Sequence, residues 1–457
     1  MRGPRFIPVL PILLAVGVTA LGGCEDLTVP DYNNESLEDL QTNPTRTNVA
    51  QAALGMVIGA RTQMGAQNGY VSLLGVLGRE SYNFDPADPR FITEMLIGPL
   101  DPGSPAFGGN LFAQPYRNIR LGNVLLDALD RVPDMTEPEQ EAVRGFAKTM
   151  QALEFLHVIN TRDDIGAPID VGTDPTGDPA PIATKAEVFA HIVTLLDEAR
   201  THLLAGGTTF PMALGPGFEG FDTPDGFLRF NRALAARVHV YMGNHAAALT
   251  ALAGSFLDVA APLDLGVYHV FSTASGDVQN ALYDPNGRAI LAHPSIITDA
   301  QRKADGSPDA RVERKVTRLD APRTVQGITT DVLFTVYESN VAPIPIIRNE
   351  ELILLRAEAN IGLGNLTLAQ GDINVVRTRS GGLPAVSLGS AAAALTELLY
   401  NRRYSLLFEG GHRWIDARRH GRLATLPLAL PSHTRQSRFP LPEAECLVRE
   451  PAPTVGC

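Results

Sequence analysis

The densest concentration of chemistry in the sequence lies between Asn401 and Arg419, where Arg402, Arg403, Glu409, Arg413, Asp416, Arg418 and Arg419 surround Phe408 and Trp414. Two carboxylates can share acid and base work when they face one bond across a cleft. Glu409 and Asp416 are seven residues apart, on a turn and on the helix expected after it, and that spacing does not set them against one substrate. With arginines on every side they read as structural ion pairs that fasten adjacent helices, and Trp414, the only Trp, reads as core. Other reactive groups are sparse. The ten His are scattered without metal-ligand spacing, and there is no H-E-x-x-H, no G-x-S-x-G and no P-loop. No enzyme activity, cofactor or metal centre is expected. Asp170, Asp174 and Asp178, with Gly172 and Gly177 between them, carry the oxygen ligands Ca²⁺ needs, but they read better as a solvated acidic loop.

Cysteine supplies a different chemistry. Arg2 and Arg5 precede an apolar run from Phe6 to Leu21, which ends in Leu21-Gly22-Gly23-Cys24. The run is broken by Pro8 and Pro11 and falls short of the roughly 20 apolar residues that span a bilayer. Residues 1–23 are therefore expected to be a cleaved signal peptide, and the small residues before Cys24 resemble a bacterial lipobox, which implies lipidation at that cysteine. Residues 24–45 are polar and read as a lipid-anchored tether; Glu25-Asp26 resemble the acidic stretch that sends bacterial lipoproteins to the outer face of the outer membrane. Outside the cytoplasm, Cys446 and Cys457 are a candidate disulfide that ties down the tail.

Aromatic residues point to a third kind of site. Residues 66–116 hold Tyr70, Tyr82, Phe84, Phe91, Phe107, Phe112 and Tyr116, about twice the density of the chain as a whole, which is 6% aromatic. In a stretch rich in Gly and Pro, these rings are not all expected on the buried stripe of a helix, so some are expected to line a surface concavity. Arg79, Asp85 and Arg90 beside them are candidates to hydrogen-bond the hydroxyls or carboxylates of a ligand.

The elements that must position these residues are mostly helical. The 457 residues are 44% hydrophobic and 19% charged, an ordinary globular balance. A net charge of −12 argues against nucleic acid as a partner. Apolar residues recur at three- and four-residue spacing over Val49–Met64, Tyr116–Arg131, Glu137–Asn160, Lys185–Leu204, Phe230–Met242, Ala246–Leu257, Asn349–Leu363, Leu366–Ser380 and Ala391–Phe408. The clearest strand signal is Asp331–Tyr337, and the fold class is mainly α. Within it, Ala236–Ala248 and Ala357–Ala369 share one pattern: Ala, six residues, Gly-Asn, three residues, Ala. That pattern suits a tetratricopeptide-like helix pair, in which the alanines allow close helix approach and Gly-Asn makes the turn.

Two further stretches carry a specific resemblance. Pro343-Ile344-Pro345-Ile346-Ile347-Arg348 runs into Glu350-Glu351-Leu352-Ile353-Leu354-Leu355-Arg356-Ala357-Glu358-Ala359, and the chain later reads NRRYSLLFEGGHRWIDARRHGRL from Asn401 to Leu423. Together with Phe439-Pro440-Leu441-Pro442-Glu443 and the lipobox, they resemble the SusD/RagB family of outer-membrane nutrient-uptake lipoproteins. The resemblance implies a single SusD-like domain over 46–457, with tetratricopeptide-like helix pairs, few short strands, large irregular insertions at about 66–115 and 266–340, and a motif region at about 341–445. Arg348, Glu358, Arg402, Glu409, Arg413, Trp414 and Asp416 would be its structural motif. It also implies a lid on a SusC-like TonB-dependent transporter, anchored by lipid at the outer membrane and exposed at the cell surface, that captures an oligosaccharide or peptide. The ligand surface would then combine the early irregular region with the second insertion, adding Tyr268, Tyr283 and Asn286 to Arg79, Tyr82, Phe84, Asp85, Arg90 and Phe91. The candidate loops contain no Trp, which leaves peptide as open as glycan. The rival readings are a tetratricopeptide-type envelope scaffold without a nutrient ligand and a secreted hydrolase.

Overall fold

Threonine caps set where several of the helices begin. Thr136 and Glu139 form one capping box, the Glu139 carboxylate accepting from the Thr136 backbone N–H at 2.9 Å. Thr184 and Glu187 form another, with 2.7 Å from the Thr184 N–H to Glu187 and 3.3 Å from the Glu187 N–H back to the Thr184 hydroxyl. Each box satisfies donors that the first helical turn cannot pair internally. The computed structural model describes residues 37–104, 109–174, 176–449, 453 and 456–457, which contain 16 α-helices and short strands only. The signal segment 1–23, Cys24, the start of the tether and Phe107 lie outside the described residues. Among those described, no helix is long and apolar enough to cross a membrane.

The helices Asn110–Ala128, Glu137–Arg162, Lys185–Ala205, Pro224–Tyr241 and His245–Ala253 each pack on the one before. After a long insertion the array resumes: Asn349–Gly362 packs on His245–Ala253 and pairs with Leu366–Arg379. The mainly α class is as read from the helical periodicity. The stretch read as tether is shorter than expected, because Leu37–Thr42 is helical and Leu40 is buried in the core.

The two Gly-Asn segments adopt one and the same turn. Gly243 and Gly364 have φ of 76° and 78°, a left-handed conformation that glycine adopts without steric cost. Asn244 and Asn365 follow at φ/ψ of −83°/65° and −80°/58°. The Asn244 N–H donates to the His239 carbonyl and the Asn365 N–H to the Asn360 carbonyl, each at 2.8 Å. Ala236, Ala248, Ala357 and Ala369 are all fully buried, so the small side chains sit where the paired helices touch.

The insertions do not form a loose loop layer; they build a second hydrophobic core. Ser81–Asn83 pairs antiparallel with Ile290–Ala292, Gly266–His269 with Ile344–Arg348, and Val316–Val325 with Ile328–Phe334. The last pair is a hairpin closed by Gln326 and Gly327, both at positive φ (49° and 81°), as a two-residue turn between twisted strands requires. Its second strand lies slightly earlier than the expected Asp331–Tyr337, and its first strand shows no clear alternation in sequence. Around these strands Tyr70, Tyr82, Phe84, Phe91, Phe334, Tyr404, Phe408, Trp414 and Phe439 form one apolar cluster. The C-terminal motif therefore closes a core that the insertions supply.

Candidate functional site

The central residue of the motif region is Arg348, at the end of the strand Ile344–Arg348. Its Nε donates to Glu409 at 2.9 Å and its Nη2 to the other Glu409 oxygen at 3.0 Å, while Nη1 pairs with Glu350. Lys315 Nζ reaches Glu409 at 2.8 Å from the opposite side. Glu350 accepts from the Ser405 hydroxyl at 2.6 Å, and Ser405 accepts from Arg311 Nη1 at 2.9 Å. Burial alone would raise both carboxylates. The Arg348 guanidinium overcomes it, with Lys315 adding at Glu409, so Glu409 is held below its ordinary range and Glu350 at about 2. Burial pushes the Lys315 ammonium down, only partly offset by Glu409.

Asp416 belongs to a separate network. It pairs with Arg402 Nε and with Arg419 Nη2 at 2.8 Å, and Arg419 Nη1 reaches Glu358 at 2.9 Å. Arg413 donates from Nη1 to the Arg79 carbonyl at 2.6 Å. Trp414 is fully buried, its indole N–H donates to the Gln436 carbonyl at 2.8 Å, and its ring meets Phe439 edge-on. Glu409 and Asp416 are thus each saturated by cations, an arrangement that fastens elements together. At the far end of the chain, Cys446 and Cys457 are joined by a disulfide with their Cα atoms 5.9 Å apart.

Over the Arg348 network opens a cleft of about 630 Å³. Its walls come from the turn before Gly266–His269, the junction at Arg314 and Lys315, the loop 335–339 after the hairpin, Ala342 to Pro345, and the end of the helix Leu366–Arg379. The floor is neutral, because Lys315 and Arg348 balance Glu350 and Glu409. The half-buried Tyr268 lines the cleft together with Asp264, Glu338 and Ser339. Its hydroxyl donates to the Asp264 carbonyl, which fixes the ring. The Asp264 and Glu338 side chains are exposed and enter no ion pair among the described residues. Arg314 and Arg379, by contrast, are tied to backbone carbonyls at Ser380 and Ala261, at 2.8 and 3.0 Å. An aromatic ring and carboxylate acceptors lining one cleft suit a neutral, hydroxyl-rich ligand: the ring takes an apolar sugar face and the carboxylates take hydroxyl protons.

Of the nine residues expected at the ligand surface, only Tyr268 lines this cleft. Four others are corrected by the structure. Tyr82 and Phe84 are 2% exposed and stack on each other at 5.6 Å, with His293 against Tyr82 at 5.0 Å. Phe91 is buried in the same cluster. Arg79 is 1% exposed and spends its guanidinium on the carbonyls of Val76 (2.9 Å), Pro427 (3.2 Å) and Thr434. The expectation failed because pairing of Ser81–Asn83 with Ile290–Ala292 brings in a cover from more than two hundred residues away, which local composition does not reveal.

The remaining four lie away from the cleft. Asp85 and Arg90 are half-exposed; Asp85 accepts from the Ala87 N–H at 2.9 Å, and Arg90 pairs with Asp88 at 2.8 Å. Tyr283 packs on the second core and Asn286 is exposed. The same strand pair does bring the segments around 85 and 286 to one end, since the Phe84 N–H donates to the Ala289 carbonyl at 2.6 Å. Asp264, Glu338 and Ser339 were missed. Glu338 and Ser339 follow the one recognised strand run, and that position was the only available signal.

Comparison with known proteins adds two findings. In fold, the chain is similar to a SusD superfamily protein from Bacteroides vulgatus ATCC 8482, with TM-score 0.66 and 16% identity over 89% of this chain and 97% of the other. It is similar to a laminarin-binding SusD-like protein, with TM-score 0.62 and 19% identity over 88% and 98%. It is also similar to a SusD-like carbohydrate-binding protein from Bacteroides vulgatus ATCC 8482, with TM-score 0.61 and 17% identity over 82% and 83%. No curated protein matches the chain in sequence. Residues 313–437 match the SusD family, and this segment contains Arg348, Glu358, Arg402, Glu409, Arg413, Trp414 and Asp416. That match is seated in a fold shared with SusD superfamily proteins along most of the chain's length, so the chain has a SusD-like fold whose segment 313–437 matches the SusD family.

Proposed function

We propose that this protein is a non-enzymatic, lipid-anchored glycan-binding component of an outer-membrane uptake system. The observation that carries the reading is the open cleft lined by Tyr268 and by the carboxylates of Asp264 and Glu338, which enter no ion pair among the described residues, over a neutral floor. Related folds named for laminarin and carbohydrate binding support an oligosaccharide ligand over a peptide. A binding role also agrees with Glu409 and Asp416, whose oxygens are committed to cations and are not free to transfer protons.

In this reading Cys24 carries the lipid anchor at the cell surface. The helical array docks on a SusC-like TonB-dependent transporter, and the protein closes as a lid over the loaded barrel. Calorimetric titration with a panel of neutral β- and α-glucans tests the binding step. Tyr268→Ala is expected to weaken the bound oligosaccharide about tenfold, since one aromatic contact is worth roughly 1 kcal/mol or more, with folding unchanged. Full affinity in that variant would remove the cleft from the site. Two measurements test the assembly: membrane fractionation of Cys24→Ala, expected to release the protein, and a mild-detergent pull-down, expected to bring a large β-barrel. A protein that purifies with other envelope factors and binds no glycan would favour the scaffold reading.

A further inference from the structure

A second cavity, of about 290 Å³, opens between the helices Ala391–Ser405 and His412–Arg419 and the turn that follows them. It shares no lining residue with the Tyr268 cleft and is close in size to the smallest ligand pockets, which start at roughly 300 Å³. Helical spacing puts Thr396, Leu399, Tyr400 and Arg403 on one face of the first helix and Arg413, Asp416 and Ala417 on one face of the second. Arg422 and Leu426 close the end.

The charges in this cavity do not cancel. Both Asp416 oxygens are taken, by Arg402 and Arg419, and Asp299 is taken by Arg403 at 2.8 Å. Arg413 makes one hydrogen bond, to the Arg79 carbonyl, and Arg422 makes one, from Nη2 to the Thr396 hydroxyl at 3.2 Å. Among the described residues neither guanidinium has a carboxylate partner. Glu80, whose field reaches Arg413, makes no ion pair with it among the described residues and is itself pushed up to about 7 by burial. Burial and then Arg403 hold Arg413 down at about 9, against the opposing fields of Glu80 and Asp299.

We propose that this cavity binds a small carboxylate-bearing solute, of the size of one sugar acid, with its carboxylate on Arg413 and Arg422 and its less polar face on Leu399, Ala417 and Leu426. Arginine forks match planar carboxylates in geometry as well as charge. The apolar floor gives the rest of the ligand a surface that a free inorganic anion would not use. The inference is independent of whether the Tyr268 cleft holds a glycan.

The test titrates the detergent-solubilised full chain with glucuronate, its neutral amide glucuronamide, acetate and sulfate, followed by calorimetry. Glucuronate is expected to bind at least tenfold more tightly than glucuronamide and more tightly than acetate or sulfate. Arg422→Gln, at a half-exposed position, should weaken glucuronate at least tenfold while leaving the melting temperature in place. Leu399→Glu, which places a carboxylate in the cavity, should abolish binding. Equal affinity for acid and amide, unchanged affinity in Arg422→Gln, tighter binding of sulfate than of either acid, or no binding of glucuronate and acetate at millimolar concentration would each overturn the proposal.

Discussion

Acidification should unfold this protein well before its carboxylates titrate, because three histidines are buried in neutral form. Burial, the largest cause, holds His269 and His293 down at about 3 and His412 at about 4. Cationic neighbours add to it: Arg61 at His269, and Arg413, Arg403 and Arg79 at His293. At His412, Glu351 pulls upward and Arg237 and Arg402 pull down. His293 has a second reason to stay neutral, since its Nδ1 accepts from the Ser295 N–H at 3.1 Å. An unfolded His titrates near pH ~6.5.

A folded value below the unfolded one means that the unfolded chain binds the proton more readily. The contribution to stability is therefore full above pH ~6.5 and declines as the pH falls toward the folded values. Each group removes about 1.4 kcal/mol per pH unit. Over about two units the three together remove at most about 8 kcal/mol, and the buried Glu80, pushed up to about 7 and so protonated more readily in the folded chain, returns about 3 of it; the remaining loss of about 5 kcal/mol is still a large share of the roughly 5–15 kcal/mol that a domain has. Glu350 and Glu351, each held at about 2 against the cost of burial by Arg348 and Arg237 respectively, also sit below their unfolded value. Their contribution is intact above pH ~4.3 and is lost only below it, so they cannot produce a decline that starts near 6.5. Urea unfolding followed by circular dichroism at about pH 7.5, 6 and 5 should show the midpoint falling throughout, and His269→Gln should flatten that slope. A midpoint that is constant across this range would refute the reasoning.

The motif residues offer sharper perturbations. Trp414→Ala should cost about 3–5 kcal/mol in urea unfolding, because it empties a fully buried site and strands the Gln436 carbonyl; a wild-type midpoint would contradict its place in the core. Glu409→Gln leaves Lys315 and Arg348 facing each other around a neutral amide and should cost about 3–5 kcal/mol, the penalty for breaking a buried pair from one side. Gly243→Ala and Gly364→Ala meet no atom within 4 Å, so any loss comes from the left-handed backbone alone. That loss should be about 1–2 kcal/mol and similar at the two sites, and unequal unfolding midpoints would break the equivalence of the turns.

The candidate site was only partly legible in the sequence. The ion pairs of the motif region could be anticipated because opposite charges crowd a short stretch around two large aromatics, which leaves few partners to choose from. The aromatic-rich segment misled because exposure was inferred from Gly and Pro content. Tyr82 stands on a buried strand and Phe84 directly after it, and the strand that pairs with Ser81–Asn83 begins at Ile290. Tyr268 was picked out on resemblance alone, and its partners in the cleft come from four other parts of the chain.

Local rules of the chain were enough to determine its helices, their caps at Thr136 and Thr184, and the paired Gly-Asn turns, since each depends on residues within about one helical turn of one another. The second core, the neutral floor beneath Tyr268 and the cation-rich cavity beside Arg413 were decided only by tertiary structure. Each joins segments separated by tens to hundreds of residues, and the free energy that selects such pairings is burial against a distant partner, which no local pattern encodes.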